Sequence, residues 1–229
     1  MLRAAFLWAS IVLCCAAQAG GFAILPLRVE LGANRAASLT VTNTEEAKTF
    51  EVRAVAWKQQ NRNDSYELTN ELLLAPATFR LEKGASQVVR VQLNRPLDAA
   101  EHPYRIFIDE VPPASEIRPN TLKTIVSMAI PVFVAPASGP VSKGEAALSV
   151  ALEKDVLKIE MRNTGKANLK LREWVVSSGA GELLKTPSAA YVLTGNTLTG
   201  EYPLKMQVDG PMKMKVVTDR GTFTADVKR

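Results

Sequence analysis

An all-β protein of two β-sandwich domains is the fold class that the sequence predicts. Three observations carry it. Apolar residues recur with period two rather than 3.6, turn-forming residues fall between the alternating runs, and a Pro-, Gly- and Ser-rich stretch from Ala135 to Pro140 divides those runs into two sets. At 229 residues, 47% hydrophobic and 22% charged, the chain has material for two cores of about 100 residues each, which excludes a disordered protein.

The first element is MLRAAFLWASIVLCCAAQAGG, with one early positive charge at Arg3, an apolar run from Ala4 to Ala17 and small residues at Ala17 and Ala19. It reads as a secretory signal peptide over residues 1–19, cleaved after Ala19. Cys14 and Cys15 leave with it, so the exported chain, Gly20 to Arg229, has no thiol and must hold its fold without disulfides. Leu13 precedes Cys14 and Cys14 precedes Cys15, so neither cysteine follows the small residue that lipidation requires. No later run approaches the roughly 20 apolar residues of a membrane span, which predicts a soluble protein without membrane insertion. Removing Arg3 leaves 27 Lys and Arg against 23 acids, a net charge of +4. That excess is spread along the chain and does not form a nucleic-acid footprint.

The strands follow in chain order. Ala37, Leu39 and Val41 alternate with Ser38, Thr40 and Thr42; Val89, Val91 and Leu93 alternate with Val88, Arg90 and Gln92. Past the divide, Leu157, Ile159 and Met161 alternate with Lys158, Glu160 and Arg162. Each is the signature of a strand buried on one face. Turns are predicted at Glu82-Lys83-Gly84, Glu153-Lys154-Asp155, Gly179-Ala180-Gly181, Gly195-Asn196 and Asp219-Arg220-Gly221. Domain one is placed at residues 20–136 and domain two at 141–229, with no obvious sequence repeat between them. Pro112, Pro113 and Pro119 predict a mobile connection ahead of the segment that follows.

Catalytic chemistry finds little to work with. The exported chain offers one histidine, His102, in the loop Ala100-Glu101-His102-Pro103, and no cysteine, so no nucleophile–base pair is visible. Scattered carboxylates and one histidine make no recognisable metal set, and no glycine-rich phosphate loop follows a strand. Paired carboxylates for glycoside hydrolysis can come from distant strands, but nothing singles out such a pair, and the sequence predicts no enzyme and no cofactor.

The informative segment runs from Asn120 to Pro136. As an extended strand it places Leu122, Thr124, Val126, Met128 and Ile130 on one face and Ile125 and Ala129 on the other. From Leu122 to Ile130 it spans roughly 27 Å at about 3.3 Å per residue. It reads either as a central core strand or, because Pro131 has no N–H for a ladder, as a strand at a sheet edge.

Together with its neighbours this segment resembles the periplasmic chaperones of chaperone-usher pilus assembly. The resemblance rests on Pro26-Leu27-Arg28-Val29, Leu39 to Asn43, Val55-Ala56-Trp57, Leu73 to Leu81, Gly84 to Leu93, Tyr104 to Pro112, and Ile130-Pro131-Val132-Phe133-Val134. None is diagnostic alone; their order and spacing are. The resemblance implies two immunoglobulin-like domains at an angle with a cleft between them. It also implies binding of pilus subunits by donor-strand complementation, with Leu122, Thr124, Val126, Met128 and Ile130 as donor residues.

In this family two basic residues anchor the subunit's C-terminal carboxylate in the cleft. Arg28 matches the one on the first strand. Where the common pattern has lysine ahead of the apolar-aromatic pair, this chain has Pro131, and the Ile130-to-Val134 run looks more like the archaic branch. There the second anchor is sought among Arg90, Arg105 and Lys123, whose alternative roles are solvated charges or interdomain ion pairs. The resemblance further implies a periplasmic protein that delivers subunits to an outer-membrane usher without a cofactor. Self-association of the free protein through the same strand remains open. Two rivals stand beside this reading: a secreted structural pilin or adhesin, and a ligand-binding β-sandwich.

Overall fold

The computed structural model describes residues 21–113, 124–204 and 210–229. The signal segment, Leu122, Lys123 and most of the proline-rich connection lie outside the described residues.

In domain one, one sheet is built from β1 (Phe22–Leu25), β3 (Ala36–Asn43), β8 (Ser86–Leu93) and β6 (Leu72–Ala75), in that order. The second runs β2 (Val29–Leu31), β10 (Ser127–Val134), β9 (His102–Val111), β4 (Lys48–Gln60) and β5 (Asn63–Leu68), with β7 (Thr78–Leu81) also on β4. The alternation predicted for Leu39, Val41, Val89, Val91 and Leu93 turns those side chains inward. They meet Phe50, Val52, Ile106, Ile108, Ile130 and Val132 of the other sheet in one continuous core.

Domain two repeats the arrangement. A sheet of β11 (Ala146–Glu153), β12 (Val156–Asn163) and β16 (Thr197–Pro203) faces one of β14 (Gly181–Pro187), β13 (Leu169–Ser178), β17 (Met212–Thr218) and β18 (Gly221–Asp226). β15 (Tyr191–Val192) pairs with β13. Leu157, Ile159 and Met161 pack there against Trp174, Val176, Met214 and Val216. Lys154 and Asp155 both take positive φ, 47° and 65°, the pair of left-handed residues that a two-residue hairpin between β11 and β12 requires. No helix occurs among the described residues, so none there is long and apolar enough to cross a membrane.

One device recurs in both domains. Asn43 ends β3 and Asn163 ends β12, each after two inward apolar residues, and both are fully buried. The Asn43 amide donates to the carbonyls of Glu45, Glu46 and Leu81 at 3.2, 2.8 and 3.0 Å, and its Oδ1 accepts the Glu45 N–H at 3.2 Å. The Asn163 amide donates to the carbonyls of Ala167 and Val192 at 2.8 and 2.9 Å, and its Oδ1 accepts the Gly165 N–H at 3.0 Å. Each asparagine thus satisfies backbone groups of a chain reversal that burial removes from water. Replacing Asn43 by Leu is expected to lower stability by about 1–3 kcal/mol, because the buried Leu81 carbonyl loses its partner while the part-buried groups at Glu45 and Glu46 can turn to water. Denaturant unfolding of the variant checks this; a loss under about 0.5 kcal/mol would contradict it.

Candidate functional site

The predicted donor segment lies at the half-covered end of a sheet. β10 pairs along its whole length with β9, Ser127 opposite Asp109 through Val134 opposite His102. On its other side β2 covers only Val132 to Val134. From Ser127 to Pro131 that side faces no described strand, so the segment is an edge where Pro131 sits and interior only beyond it.

Two hydrogen bonds show which groups the open edge presents. The Val126 carbonyl accepts the Glu110 N–H at 3.1 Å, and the Ala135 N–H donates to the Leu31 carbonyl at 2.8 Å. Backbone groups alternate sides along a strand, so even-numbered residues address β9 while Ser127, Ala129 and Pro131 address the open side. Pro131, with no N–H, therefore costs the β9 ladder nothing. An exposed edge of this kind is a template for a further strand.

Side chains divide the segment as well. Thr124 is exposed, Val126 and Met128 are half-buried against the rim of the domain-one core, and Ile130 is 2% exposed within it. Ile130 is thus committed to its own sandwich, while Val126 and Met128 keep surface to offer. On the opposite face Ile125 is half exposed, and Phe133 is buried against domain two.

Where the open edge ends, the two domains meet around three rings. Trp57 of β4, Phe133 of β10 and Tyr191 of β15 lie 5.4–6.0 Å apart, centroid to centroid, with Leu193 beside them. Arg28, just ahead of β2, stacks 4.7 Å over Phe133, and Arg105 of β9 stacks 4.0 Å over Trp57. The fold thereby brings two of the four sequence-predicted basic residues onto one aromatic cluster. Arg90 lies exposed on β8, in the other sheet, and Lys123 is outside the described residues.

Both arginines already touch acceptors. Arg28 Nη2 is 2.7 Å from Glu30 Oε1, and Nη1 is 3.0 Å from Asp219 Oδ2 across the domain boundary. Burial lowers the Arg28 pKa, but Glu30 and Asp219 outweigh it and hold the guanidinium above its ordinary value. Arg105 Nη2 is 3.6 Å from Asp64 Oδ2, and Nη1 donates to the Ala129 carbonyl at 3.4 Å, on the open edge itself. Three donors around the cluster nonetheless stay buried without an acceptor: Arg28 Nε, Arg105 Nε and Trp57 Nε1. Buried N–H groups without partners are rare, and these three surround one aromatic cluster with capacity for a water or another acceptor.

The cleft is braced by side chains that sequence reasoning missed. Gln59 donates to the Tyr191 carbonyl and accepts the Leu193 N–H, both at 3.0 Å, and Asn61 Oδ1 accepts the Thr199 N–H at 3.0 Å. Glu101 Oε1 accepts both the backbone N–H and the side-chain amide of Asn168 at 2.7 Å, with Arg220 Nη2 3.8 Å from Oε2. For Phe133 a signal existed: Ile130 to Val134 is apolar on both faces, which reads as burial on both. For the polar braces there was none, since each joins residues far apart in the chain.

Burial pushes the Glu101 carboxyl up from its ordinary 4.5, with Asn168 and Arg220 pulling it back only in part. A raised native pKa means that the folded state holds the proton more tightly. Its stabilising contribution is full below the ordinary glutamate value and is lost as pH rises through the raised native one. The thermal midpoint of the wild type relative to Glu101→Gln is therefore expected to rise as pH falls from 7 toward 4.5. A midpoint difference that is flat with pH would contradict it.

Fold and site together define a two-domain immunoglobulin-like β-sandwich protein with a half-open edge strand beside an arginine-lined cleft. Residues 21–140 match the pili and flagellar-assembly chaperone family, PapD N-terminal domain, and the chain belongs to that family. No curated protein matches its sequence. Among solved structures it is similar to a chain of the CsuC–CsuE chaperone–tip adhesion subunit pre-assembly complex from the archaic chaperone-usher Csu pili of Acinetobacter baumannii. That match has a TM-score of 0.64 and 17% identity, covering 91% of this chain and 99% of that one. The Salmonella enterica SafA pilin–SafB chaperone complex matches at 0.58 and 19% over 90% and 95%. The E. coli chaperone DraB matches at 0.56 and 22% over 90% and 96%. These likenesses show the fold, and membership of a chaperone family implies a non-enzymatic role. Among the described residues no three His, Cys, Asp or Glu side chains gather as a metal group.

Proposed function

We propose that this protein is a periplasmic chaperone that captures pilus subunits by donor-strand complementation and passes them to an outer-membrane usher. The observation that carries the reading is the half-open β10, whose Ser127-to-Pro131 edge lacks a described partner while Val126 and Met128 stand half-covered at the core rim. A subunit short of one strand exposes both an unpaired sheet edge and an apolar groove. The β10 backbone would pair with that edge while Thr124, Val126 and Met128 fill the groove. The subunit's terminal carboxylate would then lie between Arg28 and Arg105, against the unpartnered donors of the aromatic cluster. Arg105 takes the place beside Pro131 where the common family pattern supplies a lysine.

Export follows from the signal segment, and delivery to an usher follows from the family's role in pilus assembly. Expressing the chain with the secreted proteins encoded beside it, then purifying it from the periplasm, tests the reading. One small secreted protein is expected to co-purify in equal amount; recovery of the chain alone, with those proteins soluble without it, would overturn the proposal.

A further inference from the structure

The Arg28 guanidinium is held by two carboxylates of very different standing. Asp219 lies in the turn between β17 and β18 with its side chain 19% exposed, its Oδ1 accepting the Lys170 N–H at 2.9 Å and its own N–H donating to the Lys170 carbonyl at 2.9 Å. Glu30 is 60% exposed and reaches Arg28 through one oxygen. An exposed ion pair of that kind is weak and easily exchanged for water, whereas Asp219 is locked in place by its own backbone bonds.

The position of the Glu30 contact matters. An arginine offers a side-on fork made of Nε–H and one Nη, which a carboxylate grips with both oxygens. Glu30 occupies Nη2, on the Nε side of the guanidinium, and leaves Nε buried without an acceptor. The fork is half used. A carboxylate gripping both nitrogens would satisfy the orphaned donor and release Glu30 to water.

Resting on the carboxylate-anchor reading above, we propose that Glu30 is a displaceable stand-in for an incoming polypeptide C-terminal carboxylate, and that Asp219 is the positioning residue that aims Arg28 at it. Glu30 competes with the incoming carboxylate and so sets how readily the anchor engages. Asp219 holds the far nitrogen and keeps the fork directed to its open side. The two acids carry the same charge, so a purely electrostatic effect would move both variants the same way. The proposal requires opposite signs.

The test uses the full exported chain, labelled with nitrogen-15, and follows the Arg28 Nε–H resonance, assigned by its loss in Arg28→Lys. The probe is N-acetylglycine, with N-acetylglycinamide as the control lacking the charge. In the wild type the carboxylate shifts the resonance saturably and the amide does not. Glu30→Gln lowers the half-saturating concentration about three- to tenfold, Asp219→Asn raises it by a similar factor, and Glu67→Gln, removing an exposed acid on β5, leaves it unchanged. A Glu30→Gln titration equal to or weaker than wild type, or Asp219→Asn tightening as Glu30→Gln does, overturns the inference while leaving the anchor in place. No carboxylate-specific shift in any variant overturns the anchor reading and the inference together.

Discussion

Met128→Arg is expected to weaken subunit capture at least a hundredfold while leaving the free protein folded. Met128 is half-buried at the open rim of the domain-one core, so an arginine there can carry its charge outward to water in the free state. In the complex that route closes, because the same position must enter an apolar groove. With Met128 already half-buried, the complex loses only about half of the roughly 1.5–3 kcal/mol of a full methionine burial. It must also desolvate a guanidinium without a partner, at several kcal/mol. About 2.7 kcal/mol already corresponds to a hundredfold change in affinity. Co-purification of the subunit with a variant whose melting curve matches wild type measures it. Undiminished capture would mean that β10 is only a structural edge.

Removal of the cleft arginines is the second large effect. Arg28→Ala and Arg105→Ala are each expected to weaken capture by about 2–5 kcal/mol, the range for truncating one partner of a buried, hydrogen-bonded charge pair. The loss should fall mainly in the off-rate. Arg28 also ties the domains through Asp219, so its loss has a structural component that affinity alone does not separate. A double-mutant cycle does separate it. Against a subunit extended by several residues beyond its natural C-terminus, the alanine variants should lose much less than against the natural subunit. Equal losses against both would assign the arginines to domain bracing and not to the carboxylate.

The residues explain why part of this was legible and part was not. Period-two runs such as Val89, Val91 and Leu93 announce their buried face locally, because the pleat alone decides it. The same parity placed Val126, Met128 and Ile130 on one side. It could not say that Ile130 is sealed in the core while Met128 stands at the rim. That difference depends on where the three-residue strand β2 stops covering β10, a pairing between segments about 100 residues apart. Whether the segment was central or at an edge had the same long-range cause, and the answer is that it changes from one to the other near Pro131.

The cleft was read less fully for the same reason. Arg28 and Arg105 were named among four basic candidates, but only pairing through β2, β10 and β9 carries both to Trp57 and Phe133, and sends Arg90 to the opposite sheet. Asp219 is 191 positions from Arg28 and gave no sign of its role. The matching asparagines Asn43 and Asn163 leave no visible sequence repeat, because the domains share a pattern of apolar alternation ending in Asn, not a run of identical residues.

A captured subunit is expected to complete the open edge of β10 with one of its own strands. Amide hydrogen exchange at Ser127 and Ala129, measured free and in the purified complex, tests it most directly. Both N–H groups address the open side of the strand, so in the free protein they should exchange much faster than those of Met128 and Ile130, which address β9. On capture, Ser127 and Ala129 are expected to slow to match their β9-facing neighbours. Continued rapid exchange of both in a stoichiometric complex would show that the subunit is held elsewhere and would contradict donor-strand capture by this chain.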